Sequence, residues 1–169
     1  MKQDLDNNVD LLITKYSQLV FAIAMTHTQN RSDADDVFQN VFMAYFQKNV
    51  HFDDEEHRKA WLIRTTLNHA KKTTNSLWKK RTIELNENVI GDVRTFDTIE
   101  QELLFAALSS LKEKYRIVIH LFYFEELSIR EIAKVLNRSE SAIKAQLSRG
   151  RLMLKEKLKG DFDDEQESV

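Results

Sequence analysis

The chain contains no proline and only three glycines in 169 residues. Sandwiches and barrels of β-strands need a turn about every 8–12 residues, and those turns commonly use glycine or proline. A chain so poor in turn-forming residues is therefore predicted to be all-α. The absence of cysteine also excludes a disulfide framework, Cys-ligated zinc, an iron–sulfur cluster and a thiol nucleophile.

Apolar residues recur at helical spacing through most of the first half of the chain. They predict a helix over about residues 8–27, a second from the N-cap Ser32 to about residue 47, and a third from Asp53 to about residue 81. Residues 82–96 lose this periodicity and are predicted to form a flexible linker.

In the second half, Asp97 is predicted to cap a new helix, and another helix is predicted over about residues 112–125. We therefore expect two small helical domains, residues 1–81 and 97–160, followed by an acidic tail, residues 161–169.

The most informative segment runs from Ser128 to Arg151. Ser128 and Glu131 have the spacing of a capping box, Asn137 suits a left-handed turn position, and Ser139 is a second N-cap. Two helices joined by a three-residue turn, the second with a basic face, indicate a helix-turn-helix with the small Ala133 at the helix crossing. The predicted packing residues of the second helix are Ile143, Leu147, Leu152 and Leu154.

The second helix of this motif is a candidate for reading the major groove of DNA. Glutamine can bond adenine through two hydrogen bonds, lysine reaches guanine acceptors, and alanine contacts the thymine methyl group. We expect arginines to lie on phosphates, and the alternative is a solvated basic helix in an ordinary bundle. The candidate residues are Arg138, Ser139, Ser141, Ala142, Lys144, Ala145, Gln146, Ser148, Arg149 and Arg151.

The formal net charge of −2 hides a division into blocks of one sign. Residues 61–82 carry six basic and no acidic side chains, and residues 103–160 carry twelve basic and six acidic ones. Within the first block, basic, amide and aromatic residues share one helical stripe, which suits an opened nucleic-acid strand with unstacked bases. The alternative is a solvated face on which Trp78 covers the edge of the core. The stripe is Arg64, Asn68, Lys71, Asn75 and Trp78, bordered by Lys72, Lys79, Lys80 and Arg81.

The predicted second helix presents Asp36, Gln39 and Asn40 as a polar edge. This edge is either a docking surface for a protein partner or the solvated side of a plain amphipathic helix.

The sequence shows no pattern typical of a metal site, an enzyme active site or a nucleotide-binding loop. The acidic runs around residues 51–57 and 161–165 match no standard metal site, and no nucleophile–base pair, P-loop or dinucleotide fingerprint is present. We expect no enzyme, metal or cofactor. The polar start and the short apolar run Ile117–Phe124 predict a cytoplasmic protein with no membrane insertion of its own.

Several motifs in this order resemble the bacterial RNA polymerase sigma factors of the extracytoplasmic-function (ECF) type. They are Ser32–Tyr45 (SDADDVFQNVFMAY), Ala60–Lys72 (AWLIRTTLNHAKK), Leu108–Arg116 (LSSLKEKYR), and Leu127–Leu136 with Ala142–Arg151. The chain differs from the family pattern at Lys72, where an Asp is frequent, at Asn137, where Gly is usual, and at Lys112 or Glu113, where a Pro is usual.

The resemblance implies that the chain directs core polymerase to promoters and helps to open the minus-ten region. It implies core polymerase, promoter DNA and an anti-sigma protein as partners. The implied minus-thirty-five contacts are the helix-turn-helix residues above. The implied polymerase-binding residues are Asp36, Val37, Gln39, Asn40 and Phe42, and the implied minus-ten residues are Trp61, Arg64, Asn68, Lys71, Lys72, Asn75 and Trp78.

Two other functions compete with this one. A regulator with a helix-turn-helix joined to a helical sensing domain accounts for residues 97–158, but it gives no reason for the basic block at 61–82. A helical adaptor without a DNA role accounts for neither basic block.

Overall fold

The computed structural model describes the backbone of residues 8–78 and 99–167 and, within them, the side chains of residues 8–74, 99 and 103–160. These residues form seven α-helices and no strand, which confirms the all-α prediction. The chain divides into unit 1, Met1–Val89, and unit 2, Ile90–Val169. Unit 1 contains α1 (Val9–Thr28), α2 (Arg31–Lys48) and α3 (Glu55–Trp78), and unit 2 contains α4 (Ile99–Ser110), α5 (Glu113–Ile119), α6 (Ile129–Leu136) and α7 (Glu140–Glu167).

Unit 1 is a three-helix bundle in which α1 packs against both α2 and α3. Helix α1 is long and apolar enough, by length and composition, to cross a membrane. In the structure it supplies one side of the bundle core, since Leu12, Val20, Ile23 and Ala24 have no exposed surface. These four apolar side chains therefore belong to the core of the bundle.

Helix α2 begins one residue before the predicted N-cap, so the assignment of that role to Ser32 was wrong. Asn30 is the N-cap: its backbone is extended, and its side chain accepts a hydrogen bond from the Asp33 N–H at 3.0 Å. Because Asn and Ser cap helices about equally well, two candidates so close together could not be ranked from the sequence.

The start of α3 is fastened to α1 by a polar cluster. Glu55 accepts hydrogen bonds from Lys15 (2.8 Å) and from the Tyr16 hydroxyl, and it pairs with the buried Arg58. Burial alone would raise the pKa of Glu55, but the bonds from Lys15 and Tyr16 and the charge of Arg58 hold that pKa below its ordinary value. Burial and the bond to Glu55 raise the pKa of the Tyr16 phenol. The cluster therefore holds the first turn of α3 against α1.

In unit 2, helices α4, α5 and α6 all pack against α7. The predicted helix over residues 112–125 is present, but its last part, His120–Phe124, is a π turn closed by a 3.2 Å bond from the Glu125 N–H to the His120 carbonyl. The predicted packing role holds for Ile143 and Leu147, which are buried, and is wrong for Leu152, which is 58% exposed. The linker at 82–96 and the cap Asp97 lie outside the described residues.

Candidate nucleic-acid interfaces

Helix α6 is fixed at both of its ends by hydrogen bonds, and the first set lies at its N-terminus. The Ser128 hydroxyl accepts from the Glu131 N–H (3.2 Å), and the Ser128 N–H donates to the Glu131 carboxylate (2.7 Å), which confirms the capping box.

At the other end of α6, Asn137 is left-handed, with φ of 53°, as predicted. The Arg138 N–H donates to the Ala133 carbonyl (2.9 Å) and the Asn137 N–H to the Lys134 carbonyl (3.3 Å), which is a Schellman motif. Ser139 then caps α7 by accepting from the Ala142 N–H at 3.1 Å. The backbone of the helix-turn-helix is therefore set locally.

Helix α7 has a buried side and an exposed basic side. Ile143, Leu147 and Gly150 are buried against the rest of unit 2. A Cβ added at Gly150 would lie 2.8 Å from Ile119 Cδ1, so only a glycine allows α5 and α7 to approach this closely. Ala142 and Gln146 are half-buried, and the exposed candidates are Ser139, Ser141, Lys144, Ala145, Ser148, Arg149 and Arg151.

Two of the arginines already have side-chain partners within unit 2. Arg138 Nη1 donates to Gln146 Oε1 at 3.0 Å, across the turn and two helical turns into α7. Arg149 lies beside the Tyr115 hydroxyl, and its interaction with that hydroxyl is the main cause of the lowered pKa of the phenol. The sequence analysis placed both arginines on phosphates and did not detect either pairing.

In unit 1, the described part of the predicted stripe is exposed on α3. Arg64, Asn68 and Lys71 lie on the outer side of the helix, with Lys72 beside them. The side chains of Asn75 and Trp78 and residues 79–81 are outside the described set. Trp61 is half-buried, and its ring is edge-on to Tyr45 and Phe52, with ring centroids 5.8 Å apart in each pair.

Positive charge at this surface also comes from a residue outside the predicted stripe. Burial lowers the pKa of His69, and the charges of Lys72 and Lys48 lower it further. Lys48 is in the last turn of α2 and is exposed. The sequence analysis missed it because it comes from a different helix, 24 residues before Lys72.

Helix α2 exposes the predicted polar edge, since Asp36, Gln39 and Asn40 are all accessible. Val37 is fully buried and Phe42 is 5% exposed, so these two side chains support the edge from inside and offer a partner no contact surface. The sequence analysis did not single out Met43 (54% exposed) and Phe46 (39% exposed). They lie seven and ten residues after Asp36, and this helical spacing continues the same exposed face.

Unit 2 also has an apolar groove with a cavity volume of about 670 Å³. Helix α4, the π turn and the second half of α7 line it, and Tyr123 and Phe124 are each about half exposed there. Arg151, Lys155 and Lys159 are among the lining residues and add positive charge. The volume of the groove lies in the range of about 300–1,000 Å³ that is typical of ligand-binding pockets.

Two family models match the chain. "Sigma-70 region 2" matches residues 12–80, and "Sigma-70, region 4" matches residues 101–154. Together the two matches cover more than half of the sequence.

Curated relatives and solved structures agree with these matches. The chain is 27% identical to the ECF RNA polymerase sigma factor SigM of Bacillus subtilis, over 87% of this chain and 93% of that one. It is 26% identical to the ECF RNA polymerase sigma-E factor of Haemophilus influenzae, over 88% and 86% of the two chains. The fold is similar to that of the sigma factor RpoE of Bartonella quintana, solved with the anti-sigma factor NepR (TM-score 0.75, 21% identity, 89% and 96% covered). It is also similar to CnrH, solved with the cytosolic domain of CnrY (TM-score 0.66, 22% identity, 95% and 96% covered).

Proposed function

The chain belongs to the sigma-70 family of bacterial RNA polymerase sigma factors, of the ECF type, and we propose that its two units divide promoter binding between them. It directs core polymerase to promoters for transcription initiation. In our proposal unit 1 binds core polymerase and the minus-ten element, and unit 2 binds the minus-thirty-five element.

The assignment of unit 2 rests on the helix-turn-helix, which is the observation that carries the proposal. Its turn is fixed by the Ser139 cap and a Schellman motif, and the exposed side of α7 carries Lys144, Arg149 and Arg151. A helix held this way can enter the major groove with its N-terminal residues toward the bases.

The assignment of unit 1 rests on the basic face of α3. Arg64, Lys71 and Lys72 are exposed together, and Lys48 adds charge from α2. Positive charge along a groove or face holds the backbone of a single strand, and amide and aromatic groups take its unpaired bases. We propose that this face holds the opened minus-ten strand, with Asn75 and Trp78 completing it.

The exposed face of α2 is the surface we propose for core polymerase. It combines Asp36, Gln39 and Asn40 with the apolar Met43 and Phe46, and such a mixture of polar and apolar groups is typical of protein interfaces.

For the unit 2 groove we propose an anti-sigma protein as a partner, because the similar sigma factor RpoE was solved with the anti-sigma factor NepR. We also propose that the chain acts in the cytoplasm. In this proposal it supplies no catalytic group, because the polymerase carries out bond formation.

Run-off transcription with core polymerase and a promoter library tests the proposal. The full chain should produce specific transcripts that are absent with core enzyme alone. If the chain gives no specific transcript but binds duplex DNA tightly by itself, the regulator hypothesis is correct instead.

Variants test whether the two units bind different promoter elements. Lys144→Ala with Gln146→Ala should weaken promoters that depend on the minus-thirty-five element, while Lys112→Ala, which removes an exposed charge at the start of α5, should not. Arg64→Ala with Lys71→Ala should reduce permanganate reactivity of minus-ten thymines. Unchanged promoter choice and unchanged opening would remove these side chains from the proposed contacts.

A further inference from the structure

The bond between Arg138 and Gln146 has a consequence for which base the recognition helix can read. Arginine is a donor only, so the Gln146 atom that faces it at 3.0 Å must be the amide oxygen. This assignment directs the oxygen toward Arg138 and the two N–H groups of Gln146 away from it.

The position of Arg138 is determined by the turn. Its backbone N–H is the donor of the long bond of the Schellman motif, 2.9 Å to the Ala133 carbonyl, so its Cα is fixed relative to α6. Gln146 is half-buried on α7, so part of its side chain is covered by the rest of unit 2. A short polar bridge between two fixed backbones orients both side chains.

We infer that Arg138 is a positioning residue that holds the Gln146 amide with its donor side toward DNA, so that the pair reads guanine and not adenine. The inference rests on the proposed placement of α7 in the major groove. A free glutamine bonds adenine by accepting from N6 and donating to N7. Oε1 has a second lone pair, but the bond to Arg138 turns the oxygen toward that arginine, so that the N–H groups of Gln146 are the ones presented to the base. Guanine offers two acceptors, N7 and O6, which match the remaining N–H groups of the pair.

The experiment uses holoenzyme assembled from core polymerase and the full chain. The templates carry a randomised minus-thirty-five region and a fixed minus-ten element, and sequencing of the transcripts gives the base preference at each position. The wild type should prefer guanine at the position where Gln146→Ala loses its preference. Arg138→Ala frees the glutamine oxygen, and it should shift that one position from guanine toward adenine by on the order of tenfold, the discrimination of one good bidentate contact.

Arg130→Ala is the matched control, because it removes an equal charge from an exposed position on α6. It should leave the preference at the Gln146 position unchanged. The double variant Arg138→Ala/Gln146→Ala should show the same preference as Gln146→Ala alone, since Arg138 acts through the glutamine.

Three results would overturn the inference. Arg138→Ala could lower every template equally with base preferences intact, which is the behaviour of a phosphate contact. The wild type could prefer adenine at the position that depends on Gln146, or Gln146→Ala could change no position. A wild type without any preference in the randomised region would contradict the proposed minus-thirty-five role itself, and this separates the two failures.

Discussion

At Gly150 helix α7 packs closely against α5, and replacing this glycine by alanine tests the packing that positions the recognition helix. The new Cβ would lie 2.8 Å from Ile119 Cδ1, 3.3 Å from Ile119 Cγ1 and 3.4 Å from Tyr115 Cβ. Ile119 is only 2% exposed, and it borders the apolar groove of unit 2, which gives its Cδ1 a direction in which to move. Either Ile119 repacks or α7 moves outward.

Two terms of opposite sign determine the magnitude. Replacing glycine by alanine inside a helix stabilises by about 1 kcal/mol, and overpacking a filled core costs about 1–3 kcal/mol. We therefore expect Gly150→Ala to destabilise unit 2 by about 0–2 kcal/mol. Gly160 lies on the same helix with nothing within 4 Å of an added Cβ, so Gly160→Ala should show the favourable term alone, about 1 kcal/mol.

Urea unfolding by circular dichroism measures the variants, with tryptophan fluorescence as an internal reference, because Trp61 and Trp78 both belong to unit 1. The fluorescence midpoint should not change. Ile119→Val removes the atom at 2.8 Å, so in that background Gly150→Ala should cost at least about 1 kcal/mol less. If Gly150→Ala stabilises unit 2 as much as Gly160→Ala does, the close approach of the two helices is refuted.

Three further predictions concern single positions. Glu126 has a φ of 56°, a left-handed conformation that glycine adopts without strain. Glu126→Gly should therefore stabilise unit 2 by about 0.5–1 kcal/mol in the same urea assay. A loss of stability would show that the Glu126 side chain contributes more than the backbone strain costs. Ser128→Ala removes the capping bond to Glu131 and should cost about 1 kcal/mol, whereas Ser128→Asp should retain most of the stability. His69 has a pKa below its ordinary value of 6.5, so unit 1 should lose stability as the pH falls below about 6.5. Lys72→Ala should raise the pKa of His69 in an NMR titration. An unchanged pKa would show that the charge of Lys72 does not act on His69.

Much of the helix-turn-helix could be predicted because its determinants are local. The capping box, the left-handed Asn137 and the cap Ser139 each depend on residues within about three positions, and the structure has all of them. The packing of Ile143 and Leu147 followed from helical spacing in the same way.

Features that depend on contacts between helices could not be predicted. Leu152 continues the apolar spacing of α7, but no other described element covers it and it remains exposed. The π turn at residues 120–124 has no simple signature in the sequence, because it depends on how the end of α5 packs. Lys48 joins the basic surface of α3 only because the end of α2 lies near His69.

Contacts between helices also limit what the sequence can predict about DNA recognition. A list of the residue types on a helix does not show which of their hydrogen-bonding groups already have partners in the protein. Gln146 and Arg138 are eight residues apart, and Arg149 and Tyr115 come from different helices. The first pairing turns the glutamine oxygen toward Arg138 and uses one N–H of that arginine, and the second places the Arg149 guanidinium beside the Tyr115 hydroxyl. Because specificity depends on the donors and acceptors that remain free, base preference for such a helix follows from the partners of its side chains as much as from their identities.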